Sequence, residues 1–356
     1  MIPAGTRAGG AMRKIPVGLL TLGLLFPACR QDAGGEPPPA APSTRAAFPT
    51  LGEIERFDPR LDALIPAGAA MEKLAEGFDW AEGPVWLPAE GRLLFSDVPR
   101  NVVYSWSEAE GIREFLSPSG YTGTGQWERE PGSNGLALDP SGTLVLCQHG
   151  DRRISRWTPD GGFQELVSSY QGRRFNSPND LVFDRLGTLY FTDPPYGLAG
   201  LNQSPLKELD FNGVYRLSVD GELRLLTREL TFPNGIALSP DESTLYVAVS
   251  DPERPVVMAY SLGPDGTLAG ARVFFDFAGE VSVLPGLPDG LKVDRAGNVY
   301  TTGPGGVSIL APDGTRLGRL NTGVATANCG WGEDGSTLFI TADSYLLRVR
   351  TSARGW

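Results

Sequence analysis

The chain has 356 residues, 41% of them hydrophobic and 21% charged, which is typical of a globular protein and argues against a disordered one. A net charge of −11 repels phosphate backbones, so the composition disfavours a nucleic-acid-binding protein. A single histidine, His149, excludes a zinc site built from several imidazoles. The 46 glycines and 30 prolines indicate a fold with many tight turns.

The first 29 residues have the pattern of a secretory signal peptide. Arg13 and Lys14 precede an apolar run over residues 15–26 that is too short for a comfortable membrane-spanning helix. The positively charged segment is also well formed if translation starts at Met12. We therefore expect an exported protein.

Cys29 directly follows Ala28, as in a bacterial lipobox, in which the cysteine is lipidated and becomes the new N-terminus. This predicts a periplasmic or membrane-anchored lipoprotein, with plain secretion as the alternative. Residues 30–47 are rich in Gly, Pro and Ala and predict a tether rather than a packed core. The globular domain is expected over residues 48–356, with membrane contact only through the lipid anchor.

Six copies of one sequence pattern follow along this domain. Each begins with a carboxylate or carboxamide residue, usually followed by Gly, and continues with alternating apolar residues, a turn and a second β-rich run. The copies start 39 to 55 residues apart, close to the length of one propeller blade. They span residues 82–97, 134–147, 179–193, 234–249, 289–300 and, in degenerate form, 328–340. The pattern predicts an all-β fold, a six-bladed β-propeller, whose last blade is completed by residues around 71–77.

The first residue of each copy has a special place in such a fold. The innermost strand of each blade lines the central channel, so equivalent residues lie at one depth around the axis. These residues are Glu82, Asn134, Asn179, Asn234, Asp289 and Asn328. All carry side-chain oxygen, which hard cations prefer, and the two carboxylates balance the charge of a dication. Although single Asn-Gly or Asp-Gly pairs are common in turns, six in register predict a metal on the central axis.

A second set of residues is expected near the channel mouth from the hairpin register. It comprises Gln148 and His149, opposite Asn134, together with Asp97, Asp193, Asp251 and Asp343. These side chains are candidate substrate contacts, or strand-end residues that cap loops. His149 is the group whose ordinary pKa lies nearest neutrality, and a functional and a structural role are both open. Cys147 and Cys329 are interpreted as buried small hydrophobic residues, with a disulfide between them as the alternative.

Five stretches of the chain resemble the family of gluconolactonase, regucalcin (senescence marker protein 30) and luciferin-regenerating enzyme, in particular its bacterial gluconolactonase-like branch. The resemblance covers about residues 70–345. The matching stretches are Ala81-Glu-Gly-Pro-Val-Trp86, Gln148-His-Gly-Asp-Arg-Arg153, Asn176-Ser-Pro-Asn-Asp180, Tyr190-Phe-Thr-Asp-Pro-Pro-Tyr-Gly197 and Phe232-Pro-Asn-Gly235. The resemblance implies a six-bladed propeller with a bound divalent cation.

The resemblance also implies roles for individual residues. The metal ligands of the family fall on Glu82, Asn234 and Asp289, and Asp289 matches the proposed proton donor and acceptor. Asn179 matches an asparagine that contacts substrate in regucalcin and is a fourth metal ligand in the related squid phosphotriesterase. Regucalcin-like members carry an arginine two residues earlier, where this chain has Ser177.

The ring of oxygen-bearing residues predicts a bound dication, and the resemblance implies a divalent-metal-dependent hydrolase that opens a lactone or a related ester at the channel mouth. Calcium is the expected cation, with zinc, manganese and magnesium as alternatives. Asn134, Asn179, His149 and Asp193 are the expected substrate contacts. A serine triad is not supported, because the chain has no Gly-x-Ser-x-Gly motif. The alternative is a metal-stabilised surface module that binds a sugar or peptide without catalysis.

Overall fold

The computed structural model describes residues 48–127 and 129–355, in which six antiparallel sheets form the blades of a β-propeller. In chain order the strands are β1 (Glu53–Arg56), β2 (Met71–Glu76), β3 (Ala81–Leu87), β4 (Arg92–Asp97), β5 (Val102–Ser107), β6 (Gly111–Leu116), β7 (Ser133–Leu138), β8 (Leu144–Gln148), β9 (Arg153–Thr158), β10 (Gly162–Val167), β11 (Ser169–Tyr170), β12 (Arg173–Arg174), β13 (Leu181–Phe183), β14 (Leu189–Asp193), β15 (Gly213–Leu217), β16 (Leu223–Thr227), β17 (Pro233–Leu238), β18 (Thr244–Asp251), β19 (Arg254–Leu262), β20 (Leu268–Asp276), β21 (Leu291–Val293), β22 (Val299–Gly303), β23 (Gly306–Leu310), β24 (Arg316–Asn321), β25 (Asn328–Gly332), β26 (Thr337–Ala342) and β27 (Tyr345–Arg350). Two short 3₁₀-helices, Pro59–Ala63 and Leu201–Gln203, complete the regular structure of these residues. The prediction of a six-bladed all-β propeller is confirmed.

The blades follow one another along the chain, each with its innermost strand first. Blades 1 to 4 contain β3–β6, β7–β10, β13–β16 and β17–β20; blade 5 contains β21–β24 with β1 at its outer edge, and blade 6 contains β25–β27 with β2 at its outer edge. The pairing of β2 with β27 closes the ring, as expected for residues near 71–77. The fifth strand of blade 5, β1, had no counterpart in the sequence prediction, because its four residues lie outside the repeat.

One kind of turn explains the Asp and Gly residues within the repeats of blades 2, 3 and 5. In blade 2, Asp139 Oδ1 accepts hydrogen bonds from the backbone N–H groups of Ser141 (2.9 Å) and Thr143 (3.0 Å). Gly142 takes the left-handed conformation (φ 82°) that this tight turn requires. Asp184 and Asp294 form the same bonds in blades 3 and 5. In these three blades the Asp-x-x-Gly segment of the repeat is therefore a self-capped hairpin turn.

The inner strands approach each other closely just behind the channel. A Cβ atom on Gly83 would lie 2.2 Å from the backbone oxygen of Asn134, and one on Gly235 would lie 2.2 Å from that of Asp289. Packing between blades therefore leaves no room for a side chain at Gly83 and Gly235. This packing holds the neighbouring ring residues at a fixed spacing.

The core lies between the sheets, and its aromatic residues connect neighbouring blades. Trp106 of blade 1 and Phe339 of blade 6 are buried, with ring centroids 5.7 Å apart. Cys147 and Cys329 are buried and free, which confirms the interpretation as small hydrophobic residues and excludes the disulfide between them. None of the helices in the described part of the chain has the length and apolar character that a membrane crossing requires. The predicted signal peptide (1–29), Cys29 lipidation and tether (30–47) lie outside the described residues.

Candidate functional site

A cavity of ≈ 600 Å³ opens at the end of the channel where the inner strands begin. Five of the six ring residues line it: Glu82, Asn134, Asn179, Asn234 and Asp289. They come from five different blades, so only the closed propeller brings them together. The sixth ring residue, Asn328, does not line this cavity.

Irregular pairing at the start of three inner strands aims these side chains at the axis. The register between the first and second strands shifts between Glu82 and Val85 in blade 1 and between Pro233 and Ile236 in blade 4. The same shift follows Ser133 in blade 2. Such bulges redirect a side chain out of the regular pleat and often occur at functional sites.

Hydroxyl groups of neighbouring blades fix the backbone of the ring residues. Ser96 Oγ donates to the backbone oxygen of Asn134 at 2.9 Å, and Thr192 Oγ1 donates to that of Asn234 at 2.7 Å. The amide nitrogen of Asn234 donates to Ser250 Oγ (2.9 Å). With that side-chain nitrogen engaged, the side-chain oxygen of Asn234 is available to the cavity.

Three ring oxygens are buried without a protein partner. Oδ1 of Asn134, of Asn179 and of Asp289 has no hydrogen-bond partner among the described residues. A buried polar atom left in this state costs about 1–3 kcal/mol. Three such atoms around one cavity indicate a binding site for a ligand that interacts with side-chain oxygen atoms.

Glu82 is held in place by Asn328. Its Oε2 accepts hydrogen bonds from the backbone N–H of Gly83 (2.8 Å) and from Asn328 Nδ2 (3.1 Å). Asn328 Oδ1 in turn accepts from the backbone N–H of Cys329 (2.9 Å). Both polar atoms of Asn328 are thus engaged inside the protein, which corrects its prediction as an equal member of the ring.

The two ring carboxylates lie in an environment that disfavours their charge. Burial raises the pKa of Glu82 to about 8, with the Asp180 carboxylate adding to the rise and the Gly83 N–H opposing it. Burial also raises the pKa of Asp289 well above its ordinary value, and the Glu82 and Asp180 carboxylates add to this. Like charges in one buried site produce this effect, and a cation bound between them would reverse it.

The donor chemistry of the ring fits a hard divalent cation. Carboxylate and amide oxygens converge on the cavity, and these are the ligands that calcium and magnesium prefer. Residues 48–127 and 129–355 contain no cluster of three or more His, Cys, Asp and Glu side chains suited to a metal ion. A ligand set that uses Glu82 and Asp289 would therefore need asparagine oxygens as well.

Several cavity residues were missed by the sequence analysis. They include Trp80, Arg129, Glu130, Tyr196, Ser250 and Leu284. Burial raises the pKa of Tyr196, and the Asp289 and Glu130 carboxylates add to it, so its hydroxyl keeps its proton at neutral pH. Tyr196 lies in the stretch from Tyr190 to Gly197 that resembles the family, so the resemblance could have pointed to it. Ser250 lies near the end of β18, and the others come from connections between strands, where the repeat gives no register.

His149 and Asp193, two predicted substrate contacts, do not line the cavity. His149 is fully buried, and its Nδ1 lies 3.2 Å from Glu130 Oε2 without hydrogen-bond alignment. Asp193 accepts hydrogen bonds from the backbone N–H groups of Asn176 (2.8 Å) and Ser177 (2.9 Å). Its carboxylate therefore holds the loop that leads to Asn179. Burial raises the pKa of Asp193 to about 7, and these N–H groups oppose the rise.

Asp97 performs the equivalent task in blade 1. Its carboxylate accepts from the backbone N–H groups of Asp79 (3.1 Å) and Trp80 (3.2 Å), just before the inner strand. Asp251 accepts from Thr231 Oγ1 (2.5 Å) and from the Glu253 N–H (2.9 Å). Asp97 and Asp251 therefore cap loops, which was the alternative to substrate contact in the sequence analysis.

Ser177 is also a structural residue. Its Oγ donates to the backbone oxygen of Pro194 (2.6 Å) and accepts from the Gly197 N–H (2.8 Å). A Cβ on Gly197 would lie only 2.8 Å from the Ser177 Cβ, so the space is filled. The serine orders the turn that carries Tyr196, and it cannot replace an arginine that contacts substrate.

Comparison with known proteins agrees with this architecture. The family model described as SMP-30/Gluconolactonase/LRE-like region matches residues 80–344. A gluconolactonase of Zymomonas mobilis is 45% identical over 314 residues, which cover 86% of this chain and 88% of that protein.

Among solved structures, a gluconolactonase from Xanthomonas campestris is 33% identical, with a TM-score of 0.74, covering 86% of this chain and 99% of that one. A calcium-binding regucalcin from Agrobacterium tumefaciens shares the fold at 19% identity, with a TM-score of 0.63, covering 82% of this chain and 95% of that one. The chain belongs to the SMP-30/gluconolactonase/LRE-like family.

Proposed function

We propose that the protein is a divalent-metal-dependent lactonase that hydrolyses a sugar-type lactone, or a related ester, in the cavity at the channel mouth. The observation that carries the proposal is the convergence of three unpartnered buried oxygens with the Glu82 carboxylate in one cavity. Similarity to the gluconolactonases of Zymomonas mobilis and Xanthomonas campestris supports the choice of substrate class.

Glu82, Asn179, Asn234 and Asp289 are the residues proposed to hold the cation. Calcium is the first choice, because the donors are all oxygen and because the similar regucalcin binds calcium. Zinc, manganese and magnesium remain alternatives. When bound, the cation supplies Lewis-acid polarisation of the lactone carbonyl.

The protein's own residues account for orientation and proton transfer. Asp289 takes a proton from the attacking water and returns it to the ring oxygen that leaves. The carbonyl carbon gains the hydroxyl of water, the ring C–O bond breaks, and the product is a hydroxy acid. Asn134 and the Tyr196 hydroxyl, both on the cavity wall, are placed to bind substrate hydroxyl groups.

The side chains of Trp80 and Leu284 complete an apolar part of the wall. They limit the access of bulk water to the site, which strengthens the electrostatic interactions inside it. Because Ser177 does not reach the cavity, contacts that regucalcin-like proteins make through an arginine must come from other residues. Arg129, which lines the cavity from the connection between blades 1 and 2, is the cationic side chain on this wall among the described residues.

The test is hydrolysis of glucono-1,5-lactone, followed by acid release, before and after removal of divalent cations by a chelator. We expect activity to be lost on chelation and restored by calcium. Full activity in metal-free protein would refute the metal dependence. Absence of hydrolysis across lactones and aryl esters with calcium, zinc, manganese or magnesium would favour the non-catalytic binding module.

We also propose that the protein is exported and anchored through a lipid on Cys29, on the strength of the lipobox-like sequence alone. Metabolic labelling with a fatty acid should mark the wild-type chain and leave Cys29→Ala unlabelled and soluble. An unlabelled wild-type chain in the extracytoplasmic fraction would support plain secretion instead.

A further inference from the structure

One position of the repeat differs sharply between the blades. Three residues after the ring residue, five copies have an apolar side chain and the fifth copy has Lys292. The five apolar residues are Val85, Ala137, Val182, Ala237 and Trp331. In the other five blades this position faces the channel with an apolar side chain. A lysine ammonium group placed there needs an acidic or hydrogen-bonding partner.

The ammonium group of Lys292 lies among oxygen atoms below the ring. Its Nζ donates to the backbone oxygen of Leu291 (3.0 Å) and to Asn328 Oδ1 (3.5 Å), and it lies 3.9 Å from Asp180 Oδ2. Asn328 is the residue whose Nδ2 binds Glu82. Lys292 is therefore linked to the ring through Asn328.

Asp180 is the second unusual residue of the repeats. It stands directly after Asn179, where four other copies have glycine: Gly83, Gly135, Gly235 and Gly290. Asp180 is 2% exposed, and its Oδ2 has no hydrogen-bond partner among the described residues. The repeat thus adds a third buried carboxylate that interacts with Glu82 and Asp289, and Lys292 forms an ion pair with it.

The charges of these four residues fit a single dication. Glu82, Asp289 and Asp180 carry three negative charges when ionised, and Lys292 carries one positive charge. The cavity-wall residue Glu130 has its own cation, since its Oε1 lies 3.4 Å from Arg129 Nε. The remaining charge of −2 is equal and opposite to that of one divalent ion.

We propose that Lys292 is the internal counter-ion of Asp180 and that the pair sets the affinity of the ring for its single divalent cation. The inference rests on the proposed metal-dependent function. Lys292 is a positioning residue in this role, because it acts on the cation through Asp180 and Asn328 and does not line the cavity of the ring residues. Asp180 is buried, so water screens its interaction with Lys292 less than it would at the protein surface.

The test is a double-mutant cycle read out as the calcium dissociation constant, measured by calorimetry on metal-free protein. Lys292→Met leaves Asp180 uncompensated and should tighten calcium binding by about tenfold, which corresponds to about 1.4 kcal/mol. Asp180→Asn leaves Lys292 uncompensated and should weaken binding by a similar factor. The double variant should return to within about threefold of wild type.

Lys207→Met is the matched control. Lys207 is also a half-buried lysine whose Nζ donates to backbone oxygens, those of Leu209 and Phe211, but it lies outside the channel. Its substitution should leave the dissociation constant unchanged. A purely structural role of Lys292 predicts weaker binding in both single variants and no recovery in the double variant.

The outcomes separate the two proposals. Opposite shifts that cancel support the charge pair. Shifts of the same sign, or none, overturn it while calcium binding and lactone hydrolysis by the wild type stand. A wild-type protein that binds no calcium, manganese, zinc or magnesium overturns the metal-dependent function and this inference together.

Discussion

The two ends of the central channel are built from the same inner strands but differ in chemistry. The upper cavity (≈ 600 Å³) is lined by the first residues of five repeats, which are carboxylates and carboxamides. The lower cavity (≈ 580 Å³) is lined by later residues of the same strands, among them Val85, Leu136 and Ile236. Two cavities of nearly equal volume thus differ in the chemistry of their walls. Position along the repeat, rather than the size of the cavity, decides where cation binding is expected.

The largest effect is expected from removing a carboxylate at the upper end. Glu82→Gln keeps the shape of the side chain but removes one of the negative charges that a dication needs. We expect calcium affinity and lactone hydrolysis each to fall on the order of 10²-fold or more, the scale of losing a preorganised electrostatic group. Calorimetry and steady-state hydrolysis at saturating calcium measure the two effects.

Asp184→Asn is the matched control at the lower end. Asp184 lines the lower cavity, and its Oδ1 accepts from the N–H groups of Leu186 and Thr188, bonds that an amide oxygen can still accept. Calcium affinity and activity should be unchanged. Equal losses in the two variants would show that general acidity, rather than the ring, attracts the cation.

The next effect is a pH dependence of the protein's stability that arises from a carboxylate at the upper end of the channel. The folded pKa of Glu82 is raised to about 8, above the ordinary 4.5 expected in the unfolded chain. The metal-free folded state therefore binds more protons than the unfolded state between these values, so its stability falls as pH rises from about 4.5 to about 8. Calcium competes with these protons, and its stabilising effect should grow over the same range.

Urea unfolding of metal-free protein at several pH values, with and without calcium, measures this linkage. Asp193 and Asp289, whose pKa values are also raised, add to the slope. The difference between wild type and Glu82→Gln therefore measures the contribution of Glu82 together with its effect on Asp289. An identical slope in the two proteins would contradict the assignment of the raised pKa to Glu82.

Most of the fold could be predicted because residues close together in the sequence determine each hairpin of the repeat. The Asp-x-x-Gly turns form their own capping bonds, and the strands on either side alternate apolar and polar residues. The strand β1 could not be predicted, because it pairs with Arg319 and its neighbours more than 260 residues away and carries no repeat pattern.

The ring could be predicted for the same reason, but the cavity wall could not. Register alone identified Glu82 and Asp289, since every blade places its first residue at the same depth. It failed for Asn328, which has the right position in the repeat but donates its side-chain N–H to Glu82. It also failed for Asp193, because hairpin register does not reveal that two backbone N–H groups occupy that carboxylate.

The smallest effect is expected from a conservative change at the lower end. Ile236→Val removes one methylene from a residue that is 1% exposed and packed in the core between blades 3 and 4. The free energy of unfolding should fall by about 1 kcal/mol, the usual cost of this substitution. Because Ile236 lies two residues beyond Asn234, on the side of the lower cavity, calcium affinity and kcat/KM should not change. A loss of calcium affinity comparable to that of Glu82→Gln would mean that the two ends are coupled through the inner strand, and that they are not separate sites on one scaffold.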